Sequence, residues 1–356
     1  MQKFKYRKAK AMKKTVKILT LLFAVLIAMT ALTSCDLLTD EYGNLTLNNL
    51  FPDGLFPNPN EDVTLNVTVL NGTTGFGAAA LMSDAASGKT ELDYNFTVET
   101  DASNVTAGLI NGSIDIAALP TNAAAALYNK TNGKIKIAAV NTLGVLYLMT
   151  NSQNMTVNSI SDLDGKTVYC PAQNPAFIFK AICDANGVDV TIDTAYSQPA
   201  DLRSALVSGK VDIAVLPEPM VTIAKSANEN LTVSLDLTEE WESVYGENTL
   251  MQGCIVVRTE WAVAHPKELN KFLEEYEASV NYTTENPSDA AELIVSMGVF
   301  AGKSAVAAKA IPNCHIVYID GYEMACALDV FFETLYDINP QAVGGKIPDS
   351  EIYLEK

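Results

Sequence analysis

Two histidines, His265 and His315, are all that the 356-residue chain contains. That scarcity argues against a histidine-ligated zinc site and against a Ser-His-Asp hydrolase. Cysteine is almost as thin. After Cys35 come only Cys170, Cys183, Cys254, Cys314 and Cys326. An odd number at wide spacing gives neither a disulfide framework nor a Cys-x-x-Cys metal pattern. These thiols read as small buried hydrophobes, with one Cys314–Cys326 bridge left open. Beyond residue 35 no apolar run approaches the length of about 20 residues that a membrane span needs. Basic residues are also sparse: after residue 35, Arg203 and Arg258 are the only arginines.

What is present at the start is a processing signal. Lys3, Lys5, Arg7, Lys8, Lys10, Lys13, Lys14 and Lys17 precede an apolar run from Ile18 to Leu32, and Thr33, Ser34 and Cys35 follow. A basic region, a short apolar region and small residues before a cleavage point form a secretory signal. Residues 12–35 already make a complete one, so Met12 is an alternative start to Met1. Leu32-Thr33-Ser34-Cys35 resembles a bacterial lipobox, which implies lipidation at Cys35 and an extracytoplasmic, membrane-anchored product. The leader carries 8 of the 24 basic residues and none of the 42 acidic ones, which leaves the remainder near a net charge of −26. Such a surface repels nucleic acid and anionic lipid.

Residues 36–61, rich in Asn, Asp, Pro and Gly, read as a flexible tether. From Val63 onward, short apolar strands alternate with helical stretches, which predicts an α/β protein. The size of the remainder predicts two lobes. One internal match is decisive for organisation. Asn111-Gly-Ser-Ile-Asp-Ile-Ala-Ala-Leu-Pro120 reappears 97 residues later as Ser208-Gly-Lys-Val-Asp-Ile-Ala-Val-Leu-Pro217. Each copy is a helix end, a glycine turn and a strand that stops at a loop. Ligands of open α/β sheets sit beyond such strand ends. Two of them facing one another make a cleft that closes by hinge bending.

These residues, with Asn71-Gly-Thr-Thr-Gly75, Ser161-Asp-Leu-Asp-Gly-Lys-Thr-Val168, Glu218-Pro219, Gly253 to Glu260 and His265-Pro266, resemble the type II periplasmic-binding superfamily. Within it the chain is similar to the proteins that bind nitrate, taurine, aliphatic sulfonates or the thiamine pyrimidine precursor. The resemblance spans roughly residues 62 to 345. It implies a two-lobed fold with a cleft between lobes joined by two crossovers. Lobe one would hold 62–150 and 254–356, including C-terminal helices, and lobe two 151–253. The crossovers would fall near 149–151 and 252–255, with Asn151 to Asn154 as the polar connection. It also implies a small-molecule substrate, an ABC-transporter permease as partner, a monomer, no cofactor, no metal and no catalysis.

The candidate ligand contacts follow from the strand ends. Thr73, Thr74 and Gly75 lie between a strand and a helix, where free N–H groups and hydroxyls suit an anion or a carbonyl. The turn lacks the spacing of a nucleotide-binding P-loop. Thr121 and Asn122 follow the first repeated strand, and Glu218 holds the matching place after the second, to meet an amine or to grip the hinge. Gln173 and Asn174 open a helix of lobe two, Tyr196 offers a stacking face, and Gln252 stands at the second crossover. Neither arginine is placed as a bidentate clamp for an oxyanion. Three rivals are an extracellular sensory protein, an adhesive lipoprotein and a thiamine-precursor synthesis enzyme. The last needs a cleft histidine, and neither histidine falls on a repeated strand end.

Overall fold

The computed structural model describes residues 63–354. The signal segment 1–35, Cys35 and the tether 36–61 lie outside the described residues. The chain runs β1 (Thr64–Leu70), α1 (Thr73–Phe76), α2 (Ala79–Ala86), β2 (Asp93–Glu99), α3 (Ala102–Asn111), β3 (Ile116–Pro120), α4 (Thr121–Thr131) and β4 (Ile135–Thr142). Then come β5 (Leu146–Asn151), β6 (Thr167–Tyr169), α5 (Asn174–Ala185), β7 (Thr191–Asp193), α6 (Pro199–Val207), β8 (Ile213–Pro217), α7 (Met220–Ala227), β9 (Leu231–Asp236) and α8 (Leu237–Tyr245). The last part is β10 (Gly253–Arg258), α9 (Thr259–Ala264), α10 (Pro266–Glu285), α11 (Pro287–Ser296), α12 (Ser304–Ala310), β11 (Ile316–Ile319) and α13 (Gly321–Ile338).

Two sheets form, as the alternating pattern predicts. The first has the order β11-β4-β10-β3-β1-β2 and the second β7-β6-β8-β5-β9. Helices flank both, giving a two-lobed α/β protein. The sheets share one wiring. In each, a strand that follows a passage from the other sheet inserts antiparallel beside the repeated strand: β10 beside β3, and β5 beside β8. The repeat explains why. β3 and β8 are both five-residue strands buried along all but their final proline, the continuous apolar run of a strand covered on both faces. Gly112 and Gly209 both take positive φ, 85° and 71°, which ends the preceding helix and turns the chain into the strand.

The aspartates of the two copies have diverged. Asp115 is buried and accepts from the backbone and side-chain N–H groups of Asn66, at 3.1 and 3.0 Å, and from Arg258 Nη2 at 3.0 Å. Asp212 accepts from Asn154 Nδ2 at 2.7 Å. The passage between sheets falls at 143–145, earlier than the Asn151–Asn154 connection expected from polarity. Leu146–Asn151 pairs with both β8 and β9, and residues 141–150 are all buried.

One apolar cluster runs through both sheets. It joins Leu119, Ile137 and Val140 of the first to Leu148, Val168 and Val215 of the second and to Phe179 of α5. Helix α13 adds Met324, Leu328, Phe331 and Phe332, and the Phe331 ring lies 5.8 Å from that of Trp241. The five cysteines among the described residues are free. Cys314 is buried and donates to Ala310 O, whereas Cys326 is exposed. Among the described residues no helix is long and apolar enough to cross a membrane.

Candidate ligand site between the sheets

The register fixes which strand ends meet. β1 is parallel to β3, so Leu70 and Pro120 lie at one edge of the first sheet, and Gly253 pairs there with Pro120 and Thr142. β6 is parallel to β8, so Tyr169 and Pro217 share one edge of the second sheet, where Leu146 pairs with Pro217. Thr142 and Leu146 are four peptides apart, at most about 14 Å. The carboxyl ends of β1, β3 and β4 therefore face those of β6, β8 and β9. The loops that carry Thr73 to Gly75, Thr121 and Asn122, Gln173 and Asn174, and Glu218 start at these ends, whereas Tyr196 follows β7, the parallel neighbour of β6, and Gln252 leads into β10 beside Pro120.

On the first sheet, Thr73 and Thr74 open α1 directly after β1, and both are half-buried. Among the described residues neither hydroxyl has a protein partner. The Thr74 carbonyl accepts from Asn141 Nδ2 at 2.9 Å, and the same amide donates to Tyr276 Oη at 3.0 Å. Asn141 is 1 % exposed and fixes the turn from beneath; its place inside an apolar strand gave no sequence signal. Gly75 has a packing role. A Cβ there would overlap Leu70 O and come within 2.7 Å of Val299 Cγ1, and its N–H already donates to Gly72 O at 2.9 Å.

Thr121 is fully buried. Its N–H donates to Gln252 O at 3.1 Å, and its Oγ1 is shielded from solvent without a hydrogen-bond partner, beside the Cys254 thiol, which burial pushes up to about 12. Asn122, beside it, is half-buried, and its Oδ1 is shielded from solvent without a hydrogen-bond partner. On the second sheet, Gln173 is exposed and takes a left-handed backbone, φ 65°, as the chain turns into α5. Asn174 follows as the first residue of that helix, with its Oδ1 likewise shielded and unpartnered. Tyr196 packs its ring 6.0 Å from that of Tyr169.

Glu218 and Gln252 are occupied by internal bonds. Glu218 is 4 % exposed. Its carboxylate accepts from Thr222 N at 3.1 Å and Thr222 Oγ1 at 2.9 Å, and from the Asn313 side chain, while burial drives its pKa upward. Gln252 donates its N–H to Thr142 O at 3.0 Å and accepts from Val145 N at 2.8 Å through Oε1. Three further residues sit at the same boundary. Tyr147 Oη donates to Asn313 O at 2.8 Å. His315 engages Gly144 O through Nδ1, and its own carbonyl accepts from Leu143 N at 3.0 Å. Thr238, the second residue of α8, is 5 % exposed and leaves Oγ1 unpartnered. Sequence reasoning sets His315 aside because it falls on no repeated strand end, and it passes over Tyr147 and Thr238; the segment 313–315 reaches the boundary only through β11. Among the described residues no group of three or more His, Cys, Asp or Glu is arranged to hold a metal.

A family model described as NMT1/THI5 like matches residues 88–290, more than half of the chain. The chain belongs to the NMT1/THI5-like family. No curated protein matches it. Among solved structures, this family member is similar to an ABC transporter protein from Parabacteroides distasonis. The two share 25% identity at a TM-score of 0.70, over 83% of this chain and 100% of that one. It also resembles the periplasmic aliphatic sulphonate binding protein of Escherichia coli, at 14% identity and a TM-score of 0.65, covering 82% and 92%. A third is the zinc-bound ligand-binding component of an ABC-type import system from Staphylococcus aureus, at 13% and 0.61, covering 82% and 96%. The fold is thus the type II periplasmic-binding fold that the resemblance implied. Family and fold are those of non-catalytic binding proteins.

Proposed function

We propose that this chain is the substrate-binding component of an ABC importer. It works outside the cytoplasm as a monomer, tethered by a lipid on Cys35, and hands one small molecule to a membrane permease. Lobe one is built from the strands before residue 143 and after 252, and lobe two from 146–236. The observation that carries the reading is the pairing of Asn122 and Asn174. They stand on opposite sheets at facing strand ends, each with an amide oxygen hidden from water and unpartnered. Buried polar groups in a native protein are nearly always satisfied, so these two support a site completed by a ligand. Thr73, Thr74 and Gln173 would complete its hydrogen bonding when the lobes close. The substrate classes in view are sulfonate- or nitrate-like anions and small heterocycles such as a thiamine pyrimidine precursor.

The test is a thermal-shift screen of the full chain, freed of small molecules by urea treatment and dialysis. Its panel holds nitrate, taurine, alkanesulfonates, bicarbonate, pyrimidines, thiamine and riboflavin. A native-state binder raises Tm with concentration. A cooperative melt that no compound shifts would count against the importer reading and leave the fold standing.

A further inference from the structure

Beside the passages, lobe two also touches lobe one through a pair of helices. Helix α7 packs on α12, and Ile223 of α7 lies against the lobe-one cluster that contains Ala307, Ala310 and Ile311. The turn Ile311–Asn313 follows α12 and is held from lobe two at one residue. The Asn313 carbonyl accepts from Tyr147 Oη at 2.8 Å, and its side chain donates to the Glu218 carboxylate. Tyr147 lies on β5 and Glu218 follows β8, so the two bonds come from separate elements. The contact sits close to the hinge, because Glu218 N donates to Val145 O at 2.9 Å. A small displacement there is levered into a larger one at the far ends of the lobes.

Glu218 makes this contact chemically uneven. Its side chain is buried, and among the described residues it forms no ion pair with lysine or arginine. A carboxyl taken out of water without a paired cation favours its neutral form. Protonation does not undo the contact. Thr222 Oγ1 can accept as well as donate, so a neutral carboxyl gives its hydrogen there and still accepts through its other oxygen. Part of the cover belongs to lobe one: Asn313 meets the carboxyl directly, and the buried Cys314 thiol feels its charge. Parting α7 from that turn admits water to the carboxyl and favours the ionised form.

The other titratable groups around it are few. Lys225 on α7 opposes the effect from an exposed position. On α12 Lys309 is exposed, and its carbonyl accepts from Asn313 Nδ2 at 3.5 Å. Tyr147 on β5, under the influence of Asp236 and Glu239, and Cys314 after the turn are pushed upward by burial and stay neutral. His315 is turned to Gly144 O.

We infer that the angle between the lobes is proton-linked through Glu218: the protonated carboxyl keeps α7 docked on the Asn313 turn, and ionisation releases it. This rests on the hinge motion of the binding-protein reading and adds a control to it. The docked state holds the proton more tightly than the parted one. The docked-to-parted ratio is therefore highest below the ordinary value of 4.5, falls by up to about tenfold per pH unit above it, and levels off above the docked value.

Small-angle X-ray scattering on the full chain, from about pH 5 to neutrality, reads the lobe angle without any ligand. Three proteins are compared: the native one, Glu218→Gln, and Asn313→Ala combined with Tyr147→Phe. The native protein and Glu218→Gln should share one radius of gyration at the acid end. Toward neutrality the native radius should move to that of the double variant, while Glu218→Gln keeps its acid value. A native radius that does not change, or the same change in Glu218→Gln, overturns the inference. A double variant that melts cooperatively and keeps the native acid radius overturns the part given to the Asn313 turn. If the double variant does not fold, the native and Glu218→Gln profiles decide alone. The ligand screen judges the importer reading separately, so that reading survives each of these results.

Discussion

Gln252 Oε1 accepts the N–H of Val145 at 2.8 Å, so the two chain passages between the sheets are hydrogen-bonded to one another. Through its backbone the same residue also holds Thr142 and Thr121. It ties β4, α4 and the start of β5 at one point.

Replacing Gln252 by Leu leaves the Val145 N–H buried and unpaired. The expected loss is about 1–3 kcal/mol in a urea or thermal melt. Gln252→Ala should lose at least as much. A melt unchanged from the native protein would show that water or a backbone shift satisfies Val145.

Gly144 lies under the start of α8. A Cβ there would overlap Thr238 Oγ1 and approach Leu250 Cδ2 at 2.7 Å. Gly144→Ala should therefore destabilise by roughly 1–3 kcal/mol through overpacking. Adding Thr238→Ala, which removes the overlapping hydroxyl, should restore part of that loss. A double-mutant cycle with no coupling would refute the contact.

Glu218 gives a pH signature. Burial raises its folded pKa above the ordinary 4.5, against the opposing bonds from Thr222 and Asn313. The folded state then holds the proton more tightly than the unfolded one. This contribution to stability is fully present below 4.5 and is lost as pH rises through the folded value. Lys225 also opposes the rise, while the Cys314 thiol and the Tyr147 phenol, which feel this carboxylate, are themselves driven upward by burial and stay neutral there. Glu218→Gln should flatten the decline in Tm between pH 4.5 and neutrality and melt higher than the native protein at neutral pH. Parallel curves for the two proteins would remove Glu218 as the cause.

Thr73 and Thr74 make a clean test of the site itself. Their hydroxyls have no partner among the described residues, so Thr73→Val with Thr74→Val should leave the melt of the unliganded protein within about 0.5 kcal/mol. Ligand affinity should fall about tenfold as two hydrogen bonds are lost. Calorimetry that finds full affinity would move the site off this turn.

Much of this architecture is written locally. The ten-residue repeat places β3 and β8 at their observed positions, because a glycine turn, an apolar run and a proline are signals confined to neighbouring residues. Side-chain direction at the strand ends is a different kind of information. Thr121, Glu218 and Gln252 lie in loops at the boundary between the sheets, yet Glu218 and Gln252 turn their polar atoms inward to Thr222 and Val145, and the Thr121 hydroxyl is buried beside Cys254. Those partners come from strands and helices whose placement depends on the whole fold. The passage at 143–145 was hidden for a related reason. Polarity marks an exposed connection, and Leu143-Gly144-Val145 is buried between two sheets. Asn141 was equally silent: one asparagine within an apolar strand carries no pattern, and only Tyr276 and Thr74 show its use.

The wiring of the sheets also sets an order of assembly. All five strands of the second sheet lie within 146–236, so that sheet can close on itself without the rest. The first sheet cannot. Its β3 and β4 flank a gap that β10 fills only after more than a hundred further residues have passed. Until then two apolar strands stand with exposed edges, each able to zip directly onto the other and trap the chain. Closing so long a loop is slow, and it falls to the contiguous lobe to bring Gly253 back to Pro120 and Thr142. The same segment that would later sense the ligand thus first serves as the splint on which its larger partner is completed.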